Sequence, residues 1–267
     1  MTITVPASDP TKTGLSAKTS RRTAKLGALA LTETRLLTRD WTLLVFAFLF
    51  PPFTMLVLAG VFGSEPDDGF AMRRPDDYYV AASTGVSAIA LGLIGLPVAL
   101  ASYRERGVLR RFEAFGVSTA RVVAAQAAVT WGLMIIAVAL VLAVAAPTYG
   151  ISVPEHPWQV LLGFVAGSGT LVLLGVAIGL AVPTARAAQA VGLMTFFPLY
   201  LLGGGGPPRT VMTSTMRSIS DALPSIIPAI VDPWLGIASV GDHLIPLTAW
   251  AVVALAAILW LTRRPRT

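Results

Sequence analysis

The chain has 267 residues, of which 55% are hydrophobic and only 13% charged, with a net charge of +6. Soluble domains are about 25% charged, so this composition and a mean hydropathy of +0.73 exclude an ordinary soluble fold and make the bilayer the solvent for most of the chain. Cysteine is absent, which excludes disulfides, thiolate metal sites and a thiol nucleophile.

In chain order, residues 1–24 are polar, basic and rich in Thr, Ser and Lys, and are predicted to form a disordered cytoplasmic tail. They lack the apolar core and cleavage site of a signal peptide. Residues 25–40 are amphipathic: Leu26, Leu29, Leu36 and Leu37 make one face, and Lys25, Thr32, Arg35 and Arg39 the other. Such a helix lies in the headgroup plane; its simpler role is to anchor the first span. Leu29, Arg35, Leu36 and Arg39 are its candidate interfacial residues.

Six apolar runs follow, at 41–63, 78–101, 122–146, 158–182, 190–206 and 244–261. About 20 apolar residues span a bilayer as a helix. The expected fold is therefore an all-α polytopic bundle of six transmembrane helices with an N-terminal amphipathic interfacial helix. Pro51 and Pro52 should kink the first span. Small residues from Ala81 to Ala88 crowd the second, and Tyr78 and Tyr79 suit the interface belt. In the fourth, Gly163 with Gly167 and Gly175 with Gly179 are small-residue pairs at helical spacing, which reads as packing faces. The fifth run spans only if Gly203 to Gly206 lie inside the membrane. Between it and the last run, Met212, Met216, Ile219, Leu223, Ile226 and Ile230 recur at helical spacing, interrupted by Pro224 and Pro228. That pattern predicts broken helical structure at the outer surface.

Orientation follows from positive charge. With both ends and the even-numbered connections inside, sixteen of the 20 basic residues are cytoplasmic, and only Arg73, Arg74, Arg209 and Arg217 are outside. The same division separates the charge into two regions, which argues against a nucleic-acid patch despite a pI of about 10.2. An even number of spans independently puts both termini on one side.

No Asp, Glu, Lys, Arg or His falls inside the six runs. Ion-coupled carriers bury such a group at mid-membrane, so a secondary carrier is disfavoured. The two histidines, His156 and His243, have no ligand partners at motif spacing, and no hydrolase set is readable. The chain has no GxxxxGK[ST] phosphate loop, and its three lysines, Lys12, Lys18 and Lys25, all precede the first span. If transport is ATP-driven, another chain hydrolyses the ATP. A non-transporting scaffold remains the main alternative; a neighbouring gene for a phosphate-loop protein would separate the two.

The charge collects in the loop at 103–121, which opens YRERGVLRRFEAFGVS. Read as a short helix, Leu109, Phe112 and Phe115 or Gly116 share one side, with arginines around them. A topology signal needs the arginines but no apolar stripe, so the loop reads as a docking element.

The chain from Leu26 onward resembles the permease subunits of type-2 ABC exporters, including drug-resistance and natural-product exporters. The resemblance rests on the amphipathic helix before a proline-containing span, on this loop, on six spans and on the ISDALPSIIPAIVDPW segment before the last. Arg104, Gly107, Leu109, Arg110 and Arg111 match the family's Arg-x-x-Gly-x-Leu-(Lys/Arg)-(Lys/Arg) run, while Val117 stands where proline is frequent. The resemblance implies a transmembrane domain over 25–267 that pairs with a second permease chain, as a homodimer, above two copies of a nucleotide-binding ATPase subunit. ATP and Mg would be bound by that partner and no cofactor by this chain. Arg104, Glu105, Arg106, Gly107, Leu109, Arg110, Arg111, Phe112 and Phe115 would form the ATPase-coupling interface. A path near the second and fifth spans would pass Ser83, Ser87, Phe196, Phe197 and Tyr200. The uncharged aliphatic interior suits an amphiphilic or lipid-like cargo, exported across the bacterial inner membrane.

Overall fold

The computed structural model describes residues 41–263. The tail and the amphipathic helix, with Leu29, Arg35, Leu36 and Arg39, lie outside the described residues. In chain order the helices are α1 (Trp41–Phe62), α2 (Pro75–Glu105), α3 (Val108–Ala114), α4 (Thr119–Thr148), α5 (Pro157–Ala181), α6 (Ala185–Leu202), α7 (Ser214–Ala222), α8 (Ile226–Leu235) and α9 (Gly241–Arg263). Among the described residues six of them, α1, α2, α4, α5, α6 and α9, are long and apolar enough to cross a membrane. They correspond to the six runs, and the described residues contain no strand.

In the first two spans the prolines are absorbed by a local change of helix type. Proline lacks the N–H that would bond one turn back. In α1 the turn before Pro51 widens into a π-helix, Val45–Leu49, and the Phe50 N–H bonds to the Val45 carbonyl. In α2 the same device, Leu91–Gly95, precedes Pro97, with the Leu96 N–H on Leu91. The Thr54 hydroxyl reinforces α1 by donating to the Phe50 carbonyl at 2.9 Å.

Helix α2 is the axis of the bundle. Its most apolar stretch is 89% buried, against 22% for α4 and 11% for α9, which turn apolar side chains outward. Lipid tails are as apolar as leucine, so close packing has to hold such helices together. The glycine pairs of α5 provide it. A Cβ on Gly175 would strike the Gly92 carbonyl oxygen of α2, and one on Gly179 would meet Leu100 and Pro97. On Gly163 and Gly167 it would strike Ala229 and Ile226 of α8. The two pairs therefore seat two different helices. On the other side of α2, Met55, Val80, Val141 and Ala145 join α1, α2 and α4.

Three expectations need correction. Helix α6 runs from Ala185 to Leu202, not over 190–206. Thr184 caps its start by accepting from the Ala187 N–H at 3.2 Å. Gly203 to Gly206 leave the helix and form a packed turn. The hydroxyls of Tyr78 and Tyr79 donate to the Gly204 and Gly206 carbonyls at 2.9 and 3.0 Å. These bonds bury the two tyrosines to 5% and 1% exposure, so they are core residues and not an interface belt. Lastly, the segment after the glycines is not confined to a surface. It folds into α7 and α8, and α8 is buried along its length between α2 and α5. The missing side chains at Gly85, Gly163 and Gly167 make the room.

The first, third and fifth connections meet at one end of the bundle. Arg73 pairs with Glu155 at 2.6 Å, and the Glu155 and His156 N–H groups bond to the Trp234 and Pro233 carbonyls. His243, expected to stand alone, lies 2.7 Å from Asp232. The buried carboxylate of Asp76, in the first turn of α2, pairs with Arg74 at 2.5 Å, and this bond raises the Arg74 pKa further above its already high ordinary value.

Candidate functional site

At the opposite end, the second and fourth connections meet, and the loop expected to couple to an ATPase is built there. Helix α2 ends at Glu105, and Gly107 reverses the chain in the left-handed region at φ 67°, a conformation glycine adopts without penalty. Helix α3 then makes two turns before Gly116, at φ 75°, redirects the chain into α4. The Thr119 hydroxyl bonds to the Glu113 carboxylate and ties the loop to the start of α4.

Two adjacent side chains fasten the loop to the neighbouring connection. Arg104 Nη1 donates to the carbonyls of Gly179 at 3.2 Å, Leu180, and Val182 at 2.9 Å. These are carbonyls at the end of α5, which have no partner in the helix itself and favour a cation. Glu105 accepts from the Ala185 N–H at 3.0 Å, at the start of α6, where a carboxylate is favoured for the converse reason. A single dipeptide at the end of α2 thus grips the last turn of α5 and the first of α6. The loop is thus bonded to the ends of α5 and α6 as well as continuous with α2.

The apolar stripe is divided. Leu109 is 3% exposed and faces the protein, Phe112 is half-buried, and Phe115 is 85% exposed. The stripe does not continue because α3 stops at Ala114, so Phe115 falls outside the helical phase. Arg106, Arg110 and Arg111 are exposed around it. The surface on offer is one aromatic ring among three guanidinium groups, with Leu109 and Phe112 behind it.

The proposed path residues form two groups. Ser83 and Ser87 are buried on α2, and the Ser87 hydroxyl donates to the Ser83 carbonyl. Phe196, Phe197 and Tyr200 lie on α6 and gather against α1. Phe196 and Tyr200 stack at 6.0 Å, Phe46 meets Phe196 edge-on at 5.4 Å, and Phe50 meets Tyr200 at 5.3 Å. Phe197 is 44% exposed on the outside of this cluster. Phe46 and Phe50 escaped the sequence reading, although they share with Phe196 and Tyr200 the spacing of one helical turn. Gln189 donates to the Thr42 hydroxyl at 2.7 Å and closes the same α1–α6 contact near the coupling end.

A phosphate loop is missing from the sequence, and no group of three or more His, Asp or Glu among the described residues could hold a metal ion. Comparison with curated proteins and with solved structures found no match. The family model for ABC-2 type transporters matches residues 24–227, from before the first span into α8, and with most of its length covered the chain belongs to that family of transporter permeases.

Proposed function

We propose that this permease exports an amphiphilic or lipid-like compound, a drug, natural product or lipid, across the bacterial cytoplasmic membrane. Two copies of the chain pair, and two ATPase subunits dock beneath them and bind the ATP and Mg. Both termini are cytoplasmic in this reading. The observation that carries it is the fastening of the coupling loop. The exposed Phe115 and the three arginines offer an anchor and charge for a partner, and Arg104 and Glu105 connect that anchor to α5 and α6. The ATPase pushes on α3, and the dipeptide transmits the push to the ends of three spans. Spans whose apolar runs hold no Asp, Glu, Lys, Arg or His can part and close around an apolar cargo with no ion to bind or release.

The test is reconstitution with and without a phosphate-loop ATPase encoded beside the chain. Proteoliposomes containing both should move a fluorescent short-chain lipid between leaflets only when ATP is supplied. The purified chain alone should neither hydrolyse ATP nor move the lipid. ATP hydrolysis by the chain alone, or a stable complex that moves none of a panel of amphiphiles, would overturn the proposal in favour of an enzyme or a scaffold respectively.

A further inference from the structure

At the end of the bundle away from the coupling loop lies a cavity of about 640 Å³, bounded by α7, α8 and the start of α9. Its volume falls within the roughly 300–1,000 Å³ of small-molecule sites. Phe70, Leu223, Pro228, Val231 and Ile237 make an apolar wall. The polar lining is mostly committed to internal bonds. Tyr78 and Ser220 donate to the Gly204 and Leu202 carbonyls. Asp221 pairs with Arg209, and Asp232 with His243. Asp242 lies in the first turn of α9, where the helix dipole favours a carboxylate.

What remains uncommitted is a set of donors. The Ser225 hydroxyl, on a residue 4% exposed, and Arg209 Nε are buried without a hydrogen-bond partner among the described residues. A buried polar group left unpaired is costly, so each calls for an acceptor. Arg217 bonds through Nη2 only to the Thr210 and Met212 carbonyls, and no carboxylate pairs with it among the described residues. Two guanidinium groups and one hydroxyl share the cavity; of the acids that line it, Asp221 and Asp232 are paired, and Asp242 lies at the exposed start of α9.

We propose that this cavity binds an amphiphile with an anionic oxygen head, a carboxylate or a phosphate ester. The head sits on Arg209, Arg217 and Ser225, and the hydrocarbon body lies along the apolar wall. Guanidinium groups suit both heads through charge-assisted bonds. Binding needs neither ATP nor the partner subunit, so its failure would leave the transport proposal standing.

The experiment uses the full chain in dodecyl maltoside micelles, which carry no anionic group. Decanoate, decyl phosphate, decanol and inorganic phosphate are titrated separately, with intrinsic tryptophan fluorescence and thermal unfolding as readouts. Decanoate or decyl phosphate should bind saturably and raise Tm, and the tighter of the two identifies the head. Decanol and inorganic phosphate should do neither. Arg217→Gln and Ser225→Ala should each weaken binding about tenfold, the usual scale of a lost charged or buried bond, and Arg217→Lys should retain most of it. Arg217 is exposed, so its variants should unfold as the parent does without ligand. A decanol response equal to that of decanoate, tight binding of inorganic phosphate with no gain from the decyl chain, or unchanged affinity in both the Gln and Ala variants would overturn the site.

Discussion

At the scale of single residues, the proposed coupling loop separates a side chain that supports the structure from one left free to meet a partner. Leu109 is buried within the chain, so Leu109→Ala should cost about 2–4 kcal/mol as a cavity and lower Tm whether or not an ATPase is present. Phe115 is almost bare, so Phe115→Ala should leave Tm unchanged, since exposed substitutions usually shift stability by less than about 0.5 kcal/mol. It should weaken ATPase binding about tenfold or more if it fills a pocket as aromatic anchors do. Unfolding and affinity measured on both variants give the check, and reversed rankings would show that the ring is not the anchor. Arg104→Gln is expected to behave differently again. It removes the charge on the α5 carbonyls but not the exposed surface, so docking should persist while ATP-driven transport falls. Equal losses of docking and transport would reduce Arg104 to a folding role. The composition of this site was readable in the sequence because the Arg-x-x-Gly-x-Leu-Arg-Arg run is local. The separation of Phe115 from Leu109 was not, because it depends on where α3 ends.

At the scale of helices, the glycines give the sharpest test. Gly132 of α4 faces open space, whereas a Cβ at Gly175 would overlap the Gly92 carbonyl. Gly132→Ala should therefore be neutral or slightly stabilising, by up to about 1 kcal/mol from helix propensity. The identical change at Gly175 should push α5 off α2 and lower the yield of folded protein. Thermal unfolding and size-exclusion profiles compare the two, and matching behaviour would sink the packing argument. Hydropathy made the spans legible because each must be apolar over its own length. It could not place α8, whose ten residues are too few to span and whose burial depends on glycines of α2 and α5 far away in sequence. The tyrosines failed for the same reason: the pattern at Tyr78 and Tyr79 suits an interface, but the glycine turn that takes their hydroxyls belongs to a distant connection.

For the whole molecule, the remaining question is which end faces the cytoplasm. The packing brings the odd-numbered connections together at one end and the even-numbered at the other, so charge can be compared end against end. At the first, Arg73, Arg74 and Arg209 are paired with Glu155, Asp76 and Asp221, which leaves Arg217 alone without a carboxylate partner. At the second, Arg106, Arg110, Arg111, Arg121, Arg186 and Arg263 form no ion pair among the described residues. Ion pairing therefore increases the asymmetry already present in the composition. Arginines and lysines near span ends are retained on the cytoplasmic side whether or not acids lie nearby, so the proposed coupling loop should be inside. The absence of cysteine allows a direct measurement. Single cysteines at Asp68, Arg110 and Arg263, all exposed, are treated with a membrane-impermeant maleimide in spheroplasts. Asp68→Cys should label in intact spheroplasts, and Arg110→Cys and Arg263→Cys only after permeabilisation. The opposite pattern would place the coupling loop outside, where no ATPase could reach it, and would remove the basis for ATP-driven export by this chain.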